Sequence, residues 1–476
     1  MTENRSGFVR GINLTAAIAL VVGSMIGSGI FRVSSDIARQ VGSPGLLLVV
    51  WGLTGLITIM GALTQGELAA MYPKAGGQYV YLREGLSPLG GFLYGWTLFM
   101  VIQTGTIAAV AVAFAAFLSA IVPAVTPDVF LSLGHLPTPG GLIEIGISWQ
   151  RLVGIGTVII LTWINSRGVR EGAWIQIVLT TAKVLAVGGL ILLGITIGRQ
   201  PEVASANLDN FWGSTPFSLM VLPVIGAAMV GSLFSSDAWN NVTFAAAEVE
   251  NPKRNLPRAL FTGTLVVSLL YVLVNVSYLN LLSLDAIQHD PQDRVGITAG
   301  GVLFGDAGRT IMAIAIMVST FGCNNGLILS GARVYYAMAR DGLFFRSAGR
   351  VDPVRHTPKV ALWVQALWTS LLCLSGTYGQ LLDYVIFAAV LFYFLTVIAL
   401  FRLRVLKPDA ERPYRAFGYP WMQWIYLVLT GAIMVNLLFK RPLYTWPGLA
   451  IVMIGIPVYY LWKKVGVPEP ADPAEA

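Results

Sequence analysis

The sequence predicts an all-α membrane protein with twelve transmembrane helices, and three observations carry that reading. Of its 476 residues 55% are hydrophobic and only 12% charged, and the mean hydropathy of +0.70 lies far above that of a soluble domain. Apolar windows of about 20 residues, the length a helix needs to cross the hydrocarbon core, can be placed twelve times along the chain. The 51 glycines and 13 tryptophans fit the same class, because glycine is common in membrane helices and tryptophan gathers at their interfaces.

Met1 to Arg10 is polar and no small-residue cleavage site follows it, so the first window, 12–40, is expected to be a retained span. The next windows are 45–71 and 89–122. An outer loop without cysteine, "VPAVTPDVFLSLGHLPTPGG", leads to 149–168 and 172–198, which are separated by Arg167 and Arg170. The sixth window is 217–247. After it, Glu248, Glu250, Lys253, Arg254 and Arg258 read as a solvated mixed-charge loop before 258–283. The windows 308–339 and 359–377 hold Cys323 and Cys373, which leaves neither a disulfide framework nor a paired metal motif. The last three are 380–403, 419–438 and 443–463, followed by a proline-rich acidic tail expected to be disordered. Most of the 31 Lys and Arg fall on the side of the two termini, which places both in the cytoplasm and accounts for the net charge of +7 without nucleic acid.

Two windows are interrupted. "GSMIGSGIF" puts three glycines and two serines inside the first, and "GSLFSSDAWNN" puts Ser235, Ser236, Asp237, Asn240 and Asn241 inside the sixth. In hydrocarbon an unsatisfied backbone group costs several kcal/mol, so a helix breaks only where protein, water or a ligand satisfies the freed groups. Gly23, Gly27 and Gly29 permit unwinding, and the half-helix from Ser28 onward would turn its amides and positive dipole end into a cavity suited to a carboxylate. Paired interruptions in corresponding spans predict an inverted-repeat secondary transporter with a midplane site. His135, His289 and His356 all fall in loops, which disfavours an embedded enzyme, and the absence of repeated polar rings disfavours a channel. A protein that senses an amino acid without transporting it stays open.

The segments "GSMIGSGIF", "GALTQGELAAMYPKAGGQYVYLREGLSPLGGFLYGW", "TAKVLAV", "EVENPKRNLPRAL", "FGCNNGLILSGARVYYAMARDGLFF" and "ERPYRAFGYP" together resemble the signature segments of the amino acid-polyamine-organocation superfamily, nearest its L-type amino acid transporter branch. The resemblance implies a leucine-transporter-like 5+5 inverted repeat with helices 1 and 6 broken. Its boundaries are a cytoplasmic segment 1–10, a first repeat 11–198, a second repeat 217–403, two further helices in 419–463 and the tail 464–476. It implies sodium-independent exchange of L-amino acids, neutral ones foremost, in the plasma (inner) membrane of a bacterium. Proton-coupled symport is the alternative. It implies no cofactor, no metal and no enzymatic activity, and the cysteine that joins animal relatives to a heavy subunit has no counterpart here.

Carried onto this chain, the family's carboxylate site falls on Ser24, Ser28 and Gly29. Its amine site falls on Met25, Phe234, Ser235 and Asp237, with Phe234 also the closing aromatic gate. Asn240, Cys323, Asn324 and Tyr393 match positions facing the side-chain pocket. Ala238 departs from the glycine that relatives often carry before the following tryptophan. The carboxylate of Asp237 has two open roles, approaching the substrate amine or capping the second half-helix.

Lys183 lies 13 residues after Arg170 and 16 before Arg199, about 20 and 24 Å along an ideal helix, which is too deep for its ammonium to reach water. It needs partners within the protein. The resemblance puts it in place of a structural sodium ion, bridging the first helix near Gly23 to the eighth near Ser319. Glu67 and Arg333 read as gate or helix-end ion pairs.

Overall fold

The computed structural model describes residues 8–138, 141–213, 221–375 and 378–465. Residues 1–7 of the N-terminal segment, the first residues of the sixth window and of the second repeat, and residues 466–476 of the tail lie outside the described residues. The first window comes out as two helices, α1 (Leu14–Met25) and α2 (Val33–Val41). Asn13 caps α1 by accepting from the Ala16 amide at 2.9 Å, which settles one of the amide groups that a helix start leaves without a partner. Next come α3 (Pro44–Met71), the short α4 (Gln78–Gly85), and α5 (Pro88–Thr97) running through a π-turn into α6 (Gln103–Leu118). Ser43 and Ser87 cap α3 and α5, each followed by a proline at the first helical position, where no amide is needed.

The loop 131–147 forms an antiparallel hairpin, Leu131–Thr138 against Gly141–Ile147, and among the described residues the regular secondary structure is otherwise helical. Alternation of Ile143, Ile145 and Ile147 with small and polar residues is the strand period. Arg151 donates to the carbonyls of Gly146 (2.9 Å) and Glu144 (3.2 Å), tying the hairpin to the start of the following helix.

The chain continues with α7 (Trp149–Arg167), α8 (Val169–Ile195), α9 (Pro201–Asp209), α10 (Val221–Ser235) and α11 (Asn241–Phe244). Then follow α12 (Pro252–Leu281), α13 (Leu284–Gln288), α14 (Val295–Arg340), α15 (Lys359–Cys373), α16 (Tyr378–Leu406), α17 (Trp421–Lys440) and α18 (Pro442–Val465). A kink at Phe304 and Gly305, the latter with φ +60°, divides α14. Among the described residues eight helices are long and apolar enough to cross a membrane, and α1, α10 and α15 are shorter apolar helices, as a multi-pass membrane protein requires. The chain packs around one continuous apolar core in which α1 is surrounded by α8, α12 and α14, while α10 lies against α2, α3, α16 and α17.

Glu248 corrects the reading of the mixed-charge loop. It is 0% exposed and accepts from Arg333 Nε at 2.8 Å and Nη2 at 3.1 Å, the arginine being 1% exposed. The pairing partner is 85 residues away, so only the fold reveals it. Glu67, also 0% exposed, is held by Arg404 (3.0 and 2.6 Å), Arg412 (3.2 Å) and the Ala416 amide (2.7 Å). The N-terminal segment closes over the first of these pairs: the Gly11 and Ile12 amides both donate to the Glu248 carbonyl at 3.0 Å, and Phe8, fully buried, meets Tyr336 edge-on.

Removing one member of a buried ion pair strands the other, a loss of about 3–5 kcal/mol, whereas replacing both is close to neutral. Arg333→Met should therefore lower the melting temperature of the purified protein sharply, and adding Glu248→Gln should restore most of it; equal losses in single and double variants would contradict this account.

Candidate functional site

The first break begins at Ile26, whose amide still donates to the Val22 carbonyl while its ψ of 93° turns the chain out of the helix. A single 3-10 turn, Gly29–Phe31, precedes α2. The amides of Gly27, Ser28 and Gly29 have no acceptor among the described residues. The Ser24 and Ser28 hydroxyls, on residues 2% and 1% exposed, likewise have no partner. Such concentrated, unspent donor capacity is rare in buried structure.

The second break follows Ser235. Asp237 N–H donates to the Phe234 carbonyl at 3.2 Å, Ala238 takes φ +66°, and α11 starts at Asn241. A left-handed alanine costs roughly 1–2 kcal/mol more than glycine would, so the methyl group at Ala238 strains this turn.

The glycines of the first break act differently from the sequence expectation: none of Gly23, Gly27 and Gly29 has positive φ, and each marks a close approach. A Cβ on Gly29 would lie 2.1 Å from Ser235 Oγ, so the two breaks touch there. On Gly23 it would lie 2.0 Å from Gln176 Nε2, and on Gly27 3.1 Å from Cys323 Sγ.

The carbonyls released by the breaks are held by neighbouring helices. Lys183 of α8, 1% exposed, places Nζ at 2.9 Å from Gly23 O, 2.8 Å from Ile26 O and 2.8 Å from Ser319 O, which uses all three of its protons. Ser319 Oγ lies 3.0 Å from Ile26 O and 3.2 Å from Gly27 O, and Cys323 Sγ donates to Ser24 O. Tyr271 of α12 was not legible in the sequence. Its hydroxyl lies 2.9 Å from both Met25 O and Ser235 O, so its one proton serves either break. A tyrosine deep in an apolar span, which must find a polar partner, was the available signal.

Ser24, Met25, Ser28, Gly29, Phe234, Ser235, Asp237 and Cys323 come together around one cavity of about 290 Å³, with Thr106 and Val110 of α6, which sequence reasoning missed, closing one wall. Asn240 and Tyr393 line neighbouring cavities instead: both border one of about 240 Å³, and Tyr393 also borders one of about 400 Å³. Asn324 turns its amide to α6, against Ile107 O (3.3 Å) and Ala111 N (3.2 Å). Asp237 borders all three cavities. Its Oδ1 accepts from Tyr393 at 2.5 Å, and Tyr393 leads through Asn240 to Gln78 and Thr396. Of its two open roles, helix capping is not the one seen, since no side-chain cap bonds α11. Free amides and hydroxyls on one side, with backbone carbonyls and a carboxylate across from them, form a grip for a group carrying both charges.

A family model described as amino acid permease matches residues 12–459. The large neutral amino acids transporter small subunit 2 of Mus musculus is 32% identical over 455 residues, covering 94% of this chain and 80% of that protein. The serine/threonine exchanger SteT of Bacillus subtilis (strain 168) is 29% identical, covering 98% of this chain and 99% of its own. The Asc-type amino acid transporter 1 of Mus musculus is also 29% identical, covering 97% and 83%.

Lys183→Ala removes the donor that Gly23 O, Ile26 O and Ser319 O share, of which Ile26 O keeps Ser319 Oγ, and unties α1, α8 and α14. At about 1–3 kcal/mol for each stranded group, the variant should melt well below the wild type and lose substrate binding; intact binding with unchanged stability would remove the role given to Lys183.

Proposed function

The chain belongs to the amino acid permease family, and from that premise we propose that it is a sodium-independent secondary transporter that exchanges L-amino acids, neutral ones foremost, by alternating access. It is a transporter and not an enzyme. The observation that carries the reading is the pair of touching backbone breaks, the first of which has its carbonyls held by neighbouring helices and the amides of Gly27, Ser28 and Gly29 left open among the described residues. The substrate carboxylate takes the amides around Ser28 and Gly29 with the Ser24 and Ser28 hydroxyls beside it. Its ammonium takes carbonyls at Met25, Phe234, Ser235 and Asp237. Phe234, 6% exposed at the cavity wall, closes over the bound molecule. Cys323 faces the side chain directly, and Asn240 and Tyr393 bound the space beyond it, with Asn324 setting the position of α6 behind.

Lys183 replaces the cation that would otherwise hold the first break to α14, so that no sodium is needed. The twelve-span arrangement with repeats 11–198 and 217–403, helices in 419–463 outside them and both termini cytoplasmic is part of the same proposal. It places the two breaks at matching points of opposed halves. The two cysteines are buried, in α14 and α15, so neither offers a thiol to a partner subunit.

Proteoliposomes loaded with unlabelled neutral amino acid should take up labelled amino acid several-fold faster than empty ones, with or without sodium; equal uptake into both would reject exchange. Gly29→Val drives two methyl groups into Ser235 and should abolish binding, so wild-type affinity in that variant would displace the carboxylate site.

A further inference from the structure

We propose that Asp237 is a proton-binding site, and that the carrier closes over a neutral amino acid with this carboxyl protonated. The proposal rests on the exchange reading above and adds a second ligand to the same site. Among the described residues the carboxylates of Glu67 and Glu248, both fully buried, each face arginine. Asp237, 7% exposed at the second break, faces none. Tyr393 of α16 donates to it, and the other titratable groups lining the cavities it borders are Tyr94 of α5, Tyr426 of α17 and Cys323 of α14, all neutral in their ordinary state. Lys183, the buried cation at the first break, has committed its protons to three carbonyls. Around the carboxyl, α3 supplies Thr58, α4 Gln78 and α6 Gln103, which carry no charge.

A lone carboxylate at membrane depth is expensive, and a proton is the smallest ligand that removes the charge. The geometry also supplies a route. Besides the substrate cavity, Asp237 borders one cavity walled by Gln78, Gln103 and Asn240 and another walled by Thr58, Ser236 and Thr430. These hydroxyls and amides are the partners that water needs in a buried space. A proton passes from that water to a carboxyl oxygen as the substrate cavity closes, and returns to water on opening. Throughout, Tyr393 keeps its own proton on Oδ1.

Binding of a neutral amino acid to the purified protein, followed by titration calorimetry in two buffers of different ionisation enthalpy from about pH 6 to about pH 9, counts the protons taken up. The wild type should take up close to one proton per amino acid at the alkaline end and none at the acid end. In parallel, exchange at equal pH on both sides should fall about tenfold per pH unit above the midpoint. Asp237→Asn should show no uptake. Tyr393→Phe, which removes the donor that favours the ionised carboxylate, should move the onset of uptake to higher pH, a shift that decides the matter even if Asp237→Asn fails to bind. Binding without uptake at any pH, or uptake that survives in Asp237→Asn, would overturn the proton site alone; absence of any binding would overturn the exchange reading with it.

Discussion

Everything in the centre of this protein follows from one constraint: a backbone group released from a helix inside the membrane must find another partner. The structure meets it unequally. The carbonyls freed at the first break are taken up by Lys183, Ser319, Cys323 and Tyr271, which come from three different helices. The amides of Gly27, Ser28 and Gly29 have no acceptor among the described residues. That asymmetry turns a structural defect into a receptor, because the unspent groups are donors and the ligand they suit is an anion. The ammonium of Lys183 also balances the carbonyl side with a charge that cannot diffuse away.

The two breaks also constrain each other. Gly29 and Ser235 approach too closely for any side chain on the glycine, and Tyr271 shares its hydroxyl between Met25 and Ser235. A displacement of one break is therefore felt by the other through direct contact and a shared hydrogen bond. Ala238 adds strain at a turn lining the cavity between the breaks, and strained backbone of this kind is common where a segment has to move.

Charge at depth is handled in two ways. Glu67 and Glu248 are neutralised by arginines that join distant segments, and the Phe8–Ile12 stretch is bonded onto the segment carrying Glu248. These contacts fasten loops and helix ends to one another. Asp237 accepts from Tyr393 and faces no arginine among the described residues, and it borders three cavities.

The sequence by itself determined the class, the multi-pass membrane character and the two interruptions, because hydropathy and polarity are summed along the chain and need no partner to be read. It also required that Lys183 find internal partners, since its depth follows from counting residues. Which carbonyls it meets, that Gly23, Gly27 and Gly29 serve close approach and not backbone freedom, and that Tyr271 joins the breaks were decided only in three dimensions. Glu248 looked solvated because its local neighbours are charged, yet its arginine lies on α14. Asn324 carries the same side chain whether it faces a cavity or α6, and the sequence holds no record of rotation about a helix axis that is apolar on every side. The hairpin at 131–147 escaped notice because a short alternating stretch between long apolar windows reads as loop until its two strands are seen to pair. Patterns that are local in the chain were legible; pairings across hundreds of residues were not, because they exist only once the helices have packed.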